Sequence, residues 1–163
     1  MNAETHLEEK IFTRAAVISK VEEWKSSGKR IVFTNGCFDL LHAGHLAYLS
    51  EAASLGDVLI IGLNSDESVQ QLKGPSRPVN NEISRTKMLA SMFFVDAVVL
   101  FSEDTPLELI KGIKPDVLVK GGDYEIHQIA GAEKTIANGG EVKVLNFLAG
   151  YSSSSIIEKI KNS

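Results

Sequence analysis

Hydrophobic positions along the chain fall into short continuous runs separated by stretches of mixed polarity. The runs at residues 30–34, 57–63, 97–101, 117–119 and 141–145 are rich in Val, Ile and Leu and predict β-strands. Most are apolar throughout rather than alternating, as expected of strands covered on both faces. Between them lie helical patterns with readable ends. Residues 44–55 place Leu46, Leu49 and Ala53 on one face, and Gly56 sits where a C-terminal glycine cap belongs. Thr105-Pro106-Leu107-Glu108 has the form of a capping box with proline at the first helical position. Gly139-Gly140 closes another helix, and a last one follows Ser152 through Ile156, Ile157 and Ile160. Ahead of the first strand, residues 15–26 predict an amphipathic helix with Val17, Val21 and Trp24 inward. Strand–helix alternation with connections this short implies parallel strands and right-handed crossovers. The expected fold is α/β, a single doubly wound sandwich with a mostly parallel sheet of about five strands. Residues 1–163 read as one domain, with 1–9 a flexible tail and 10–28 a segment and helix packed on the core.

Composition narrows this picture. Of 163 residues, 44% are hydrophobic and 23% charged, so a sizeable core is possible and global disorder is excluded. A formal net charge of −4 argues against a general nucleic-acid coat, and no nucleic-acid partner is expected. The single cysteine, Cys37, excludes an intrachain disulfide framework and a Cys-rich zinc site, and reads as a small buried residue in a reduced compartment. The polar N-terminus has no secretory pattern, and no apolar run approaches the roughly 20 residues that span a bilayer. A cytoplasmic protein without a membrane partner is the expectation.

Chemistry collects after the predicted strands, where ligands bind in doubly wound sheets. Asn35-Gly36-Cys37-Phe38-Asp39 and His42-Ala43-Gly44-His45 follow the first, Asn64-Ser65-Asp66 the second, Lys120-Gly121-Gly122-Asp123-Tyr124 the fourth, and Gly150-Tyr151 with the serine run the fifth. His42 and His45 stand at a helix start, where free N–H groups and the helix dipole favour anions, and Gly44 between them leaves room for a phosphate. An ordinary capping turn with two surface histidines is the bland alternative, and two His without a third ligand make a poor zinc site. Ser152, Ser153 and Ser154 open the last helix and read as a second phosphate cradle, although one serine suffices for a cap. Residues 73–87 hold Lys73, Arg77, Arg85 and Lys87 against Glu82 and read either as a solvated basic face or as a phosphate clamp. No Walker A or G-x-G-x-x-G sequence occurs, and Ser84-Arg85-Thr86-Lys87 lacks the partner motifs of S-x-x-K enzymes. His6 and His127 read as surface bystanders, and Trp24, Phe93 and Phe94 as core or interface.

The run Thr34-Asn35-Gly36-Cys37-Phe38-Asp39-Leu40-Leu41-His42-Ala43-Gly44-His45 resembles the signature of the cytidylyltransferase-like (HxGH) nucleotidyltransferases, whose fold is Rossmann-like. Leu72-Lys73-Gly74-Pro75-Ser76-Arg77-Pro78-Val79-Asn80 together with Val119-Lys120-Gly121-Gly122-Asp123-Tyr124 resembles, more narrowly, the D-glycero-β-D-manno-heptose 1-phosphate adenylyltransferases. The family's S-T-T-x-I-I pattern is replaced by Ser152-Ser153-Ser154-Ser155-Ile156-Ile157, which keeps the hydroxyls. The resemblance implies transfer of an adenylyl group from ATP, with Mg²⁺ carried by the triphosphate and no metal ligand assigned to the protein. It implies His42, His45 and Lys73 as catalytic residues. Nucleotide contacts fall to Thr34, Asn35, Gly36, Phe38, Gly44, Lys120, Gly122, Asp123, Tyr124, Ser152, Ser153 and Ser154. Sugar-phosphate contacts fall to Asp39, Asn64, Asp66, Arg77 and Arg85. It also implies a stand-alone form with a separate heptose kinase acting upstream, and a homodimer in which Met88, Met92, Phe93 and Phe94 form an interface or, equally, a buried helix face. Competing readings are a glycerol-3-phosphate-type cytidylyltransferase, a non-catalytic nucleotide-binding regulator, and a fragment of a class I aminoacyl-tRNA synthetase.

Overall fold

In a computed structural model, which describes residues 2–163, six parallel strands form one sheet in the order β1-β4-β3-β2-β5-β6. The strands are β1 (Ile11–Phe12), β2 (Ile31–Gly36), β3 (Val58–Asn64), β4 (Ala97–Phe101), β5 (Val117–Gly121) and β6 (Glu141–Leu145). Side chains alternate between faces along each strand, and both faces are covered, which explains the continuous apolar runs. On one face Ile31, Phe33, Ile60, Val99 and Leu118 pack with Val17 and Val21 of α2 (Arg14–Ser26), with Leu109, Ile110 and Ile113 of α6 (Leu107–Ile113), and with Ala132 of α7 (Ala132–Ala137). On the other, Val32, Leu59, Ile61, Val98 and Val119 pack with Tyr48, Leu49 and Ala52 of α3 (Ala43–Ala53) and Leu89 and Ala90 of α5 (Glu82–Ala90). The remaining helices are α1 (Ala3–Glu8), α4 (Asp66–Lys73) and α8 (Ser153–Lys161). None of the described helices is long and apolar enough to cross a membrane.

The structure corrects four local expectations. The sheet has six strands, because Ile11 and Phe12 pair with Val98 and Val99 at its edge; two residues leave no periodic signal. Residues expected as a flexible tail instead form α1, capped by the Asn2 side chain accepting from Thr5 N–H, with Leu7 packed on the core. Gly56 does not cap α3, which ends at Ser54. It is needed for close approach, since a Cβ there would lie 2.7 Å from Val32 Cγ2 and 2.8 Å from the Arg30 carbonyl oxygen. Pro106 is the N-cap of α6 rather than its first helical residue, and no side chain caps that helix end.

Candidate active site

β2 pairs with β3 along its full length, from Ile31–Val58 to Gly36–Leu63. Its pairing with β5 covers only Val32–Val117 and Phe33–Leu118. Strand order reverses between β2 and β5, so the crevice beyond Phe33 is the topological switch point, where ligands of such sheets bind. Two connected cavities open there. The first, about 220 Å³, has aromatic walls from Phe38, Tyr48 and Phe147, with His45 and Ser153 at its edge. The second, about 480 Å³, extends toward the ends of β3 and β4. Asn35, Gly36, Cys37, Lys73, Lys120 and Tyr124 form their common wall. A third groove, between the loop after α4 and α8, is lined by Lys73, Arg77, Ser154 and Lys161. Lys73 therefore borders all three.

The histidines form a stacked pair at the start of α3, ring centroids 3.9 Å apart. His42 is the N-cap, its Nδ1 accepting the Gly44 N–H at 3.1 Å, so its own proton resides on Nε2. Gly44 makes room for protein rather than ligand: a Cβ there would meet the His42 ring at 2.9 Å and Tyr151 Cβ at 3.0 Å. Tyr151 stacks beyond His42, and Phe38 meets His45 edge-on. Burial lowers the pKa of His42, and burial together with the charges of His42 and Lys73 lowers that of His45 to about 4. Both imidazoles are neutral donors at pH 7. His45 Nδ1 is buried without a hydrogen-bond partner in the protein.

The wall on the β3 side is a buried polar lattice. Arg85, fully buried, donates to the carbonyls of Asn80 (2.9 Å), Cys37 (2.8 Å) and Asn64 (2.7 Å) and to the Asp66 carboxylate at 2.8 Å. Asp39 accepts from Arg77 Nε at 2.7 Å and from the Val79 and Asn80 N–H groups. Burial alone would raise its carboxyl pKa, but these hydrogen bonds from Asn80, Val79 and Arg77 outweigh it and hold the pKa below the ordinary value. Phe38, between them, adopts a left-handed φ of 45°, a costly conformation for a residue with a Cβ. Its buried ring covers Gly36, where a Cβ would lie 2.9 Å from it.

The wall on the β5–β6 side is built differently. Phe147, 61% exposed, packs on Tyr48 and over Gly121, where a Cβ would lie 2.6 Å from its ring. Ser152 caps α8 by accepting from Ser155 N–H, and Ser153 Oγ donates to the Leu40 carbonyl at 2.9 Å. Lys120 sits over the Tyr124 ring, its Nζ 5.2 Å from the centroid, and burial lowers its pKa.

Several expected site residues thus serve the scaffold. Thr34 is buried with its hydroxyl 2.6 Å from that of Tyr48. Asp66 and Arg85 are paired with each other, and Asp39, which lines the first cavity, is already hydrogen-bonded to Arg77, Val79 and Asn80. Gly122 and Asp123 line a separate shallow cavity with Glu125 and Asn146. Cys37 is half-buried on the common wall rather than in the core; burial pushes its thiol pKa up against the pull of Lys73, Arg85 and Arg77. Tyr48 and Phe147 were not anticipated; the position of Phe147 just beyond β6 is the signal that could have found it. No cluster of three His, Cys, Asp or Glu side chains suited to a metal ion occurs among the described residues.

Comparison with known proteins agrees with this geometry. The chain is 55% identical over 93% of its length to the bifunctional protein HldE of Vibrio cholerae, and 56% identical over the same share to that of Aliivibrio salmonicida. It spans about a third (32%) of the length of these relatives. The crystal structure of the lipopolysaccharide core biosynthesis protein from Thermoplasma volcanium superposes with a TM-score of 0.61 at 28% identity, covering 74% of this chain and 98% of that one. The pantoate-beta-alanine ligase of Francisella tularensis, at 19% identity, shares the fold with a TM-score of 0.59 over 93% of this chain and 76% of its own. The cytidylyltransferase-like family model matches residues 33–159, from the middle of β2 into α8, and the chain belongs to that family of nucleotidyltransferases.

Proposed function

We propose that this domain transfers the adenylyl group of ATP to D-glycero-β-D-manno-heptose 1-phosphate, giving ADP-heptose and pyrophosphate for lipopolysaccharide or other surface-glycan synthesis. The observation that carries the reading is the convergence of three cavities of different chemistry on Lys73. An aromatic-walled cavity suits the nucleoside, one that mixes polar and aliphatic groups the acceptor, and a cationic groove the departing pyrophosphate. The heptose in particular is supported by the resemblance of residues 72–80 and 119–124, and by similarity to HldE proteins over 93% of the chain.

In this reaction a phosphate oxygen of the acceptor attacks the α-phosphorus, and the bond to the bridging oxygen of the β-phosphate breaks. Pyrophosphate leaves with the electron pair, so no covalent protein intermediate is needed. The chain's task is alignment and charge stabilisation. His42 Nε2–H is pre-set as a donor by the Gly44 N–H. A polyphosphate beside the pair raises the proton affinity of both imidazoles, so charge arrives with the substrate. Lys73 and Lys120 offer cations across the common wall. The Arg77 Nη2, buried without a partner, is a further donor at the groove. Mg²⁺ enters with ATP. Asp39, Asp104 and Glu158 border different cavities and Asp39 is already saturated, so these residues do not fit a resident metal site. A homodimer, an upstream heptose kinase activity and a cytoplasmic location belong to the same proposal.

The test is pyrophosphate release with Mg²⁺, crossing four nucleoside triphosphates against heptose 1-phosphate, glycerol 3-phosphate and no acceptor. Release confined to ATP with the heptose phosphate is expected, and a His42→Ala variant should stay folded but lose about 100-fold or more in turnover. CTP-dependent turnover of glycerol 3-phosphate instead would overturn the substrate assignment.

A further inference from the structure

We infer that the second cavity is the sugar pocket of the acceptor, and that Asp104, Thr105 and Gln128 read its hydroxyl groups. The inference rests on the transfer reaction proposed above and extends it to residues outside the stretches that carry the family resemblance. All three come from loops beyond strand ends: Asp104 and Thr105 follow β4, and Gln128 lies in a short 3₁₀ turn after β5 (Ile126–Gln128). Ligands of doubly wound sheets are recognised there.

The charge distribution selects the ligand class. The cations of this cavity, Lys73 and Lys120, stand on the wall shared with the first cavity. Beyond that wall the lining is neutral or negative, with Asp104 its one unpaired carboxylate; the neighbouring Glu103 takes Arg14. A second polyanion is therefore disfavoured. A phosphate at the mouth with an uncharged polyol behind it suits this surface: Asp104, Thr105 and Gln128 can meet hydroxyls, and apolar side chains such as Leu72, Phe101 and Ile129 can meet the carbon skeleton. The local hydrogen bonds set complementary polarity. Gln128 Oε1 accepts the Glu125 N–H at 3.0 Å, which turns its amide NH₂ into the available donor. Thr105 Oγ1 takes only a long contact of 3.4 Å from the Leu107 N–H, leaving its hydroxyl proton to donate. Asp104 is an acceptor. Adjacent sugar hydroxyls, each both donor and acceptor, match that set. The first cavity, walled by Phe38, Tyr48 and Phe147, presents aromatic faces that suit a stacked base.

Asp104→Asn and Gln128→Ala test the assignment; both positions are exposed, so the fold is expected to survive. Each should raise the KM of the heptose phosphate about tenfold while the KM of ATP moves less than about twofold. The penalty should shrink with glycerol 3-phosphate, which has fewer hydroxyls. An unchanged acceptor KM, or an ATP KM that rises in step, overturns the inference. A wild-type enzyme that prefers another nucleotide or acceptor defeats the proposed reaction alone, and the same variants are then scored on the KM of the acceptor it does use. Where no turnover occurs, calorimetric titration with heptose 1-phosphate, glycerol 3-phosphate and inorganic phosphate decides. Sugar-dependent binding lost in both variants supports the pocket, and wild-type binding no tighter than to inorganic phosphate overturns it.

Discussion

The two walls of the cleft border the same cavity and are held by opposite means. On the β3 side, Arg85 and Asp39 are almost wholly buried, and their hydrogen bonds run to backbone carbonyls and N–H groups of the loops they hold. On the β5–β6 side, α8 has no buried residue, and the wall leans on the exposed ring of Phe147, the stacking of Tyr151 on His42, and the Ser153–Leu40 hydrogen bond. A buried charge must be matched bond for bond, which leaves one geometry. An exposed aromatic contact tolerates rearrangement at little cost. The first wall is thus suited to holding Lys73 and the turn at Phe38 in place, and the second to yielding as a nucleotide enters.

The largest effect should follow from removing the keystone of the rigid wall. Arg85→Met leaves three carbonyls and the partly exposed Asp66 without their donor. It should cost about 3 kcal/mol, toward the low end for a broken buried pair because Asp66 can rehydrate. Urea denaturation would show a lower midpoint at unchanged slope, and a loss under about 1 kcal/mol would dissolve the contrast between the walls. Phe147→Ala probes the yielding wall. Stability should change by less than about 1 kcal/mol, as for most exposed positions, while the KM for nucleotide rises several-fold through loss of the ring lining the first cavity. A stability loss matching that of Arg85→Met would make the two walls equivalent. At neutral pH the smallest effect concerns His45, which lies between them; it grows only as the solution is acidified. Its folded pKa of about 4 is below the ordinary 6.5, so between those values the unfolded chain binds a proton that the native state refuses. Its contribution to stability is complete above about pH 6.5 and is lost as pH falls toward 4. His45→Asn should flatten that part of the stability–pH curve relative to wild type, and an unaltered curve would place the titration elsewhere.

Much of the fold was legible because strand cores such as residues 97–101 carry their burial in their composition; that run and 141–145, an edge strand with only Leu145 buried, both match the observed strands residue for residue. The cleft was legible as a place, because glycines and polar residues follow strand ends. The roles within it were less so. Arg85 and Arg77 are alike in sequence, both basic residues near a predicted phosphate site, yet one is sealed against carbonyls and the other keeps an unpartnered Nη2. Thr34 lies in the signature run and turns to Tyr48, whereas Phe147, outside any motif, walls the first cavity. Met92 and Phe94 pack on the core, and Phe93, beside them, is 90% exposed.

Sequence by itself therefore determined the alternation of strands and helices, the parallel sheet, and the positions of the histidine pair at a helix start and of Lys120 at a strand end. Each of these depends on local periodicity or on chain order. Only the tertiary structure decided which charged side chains line the cavities and which are bonded to protein. That choice depends on partners far apart in the chain, such as Arg85 with the Cys37 carbonyl or Ser153 with that of Leu40, which come together only when the sheet closes.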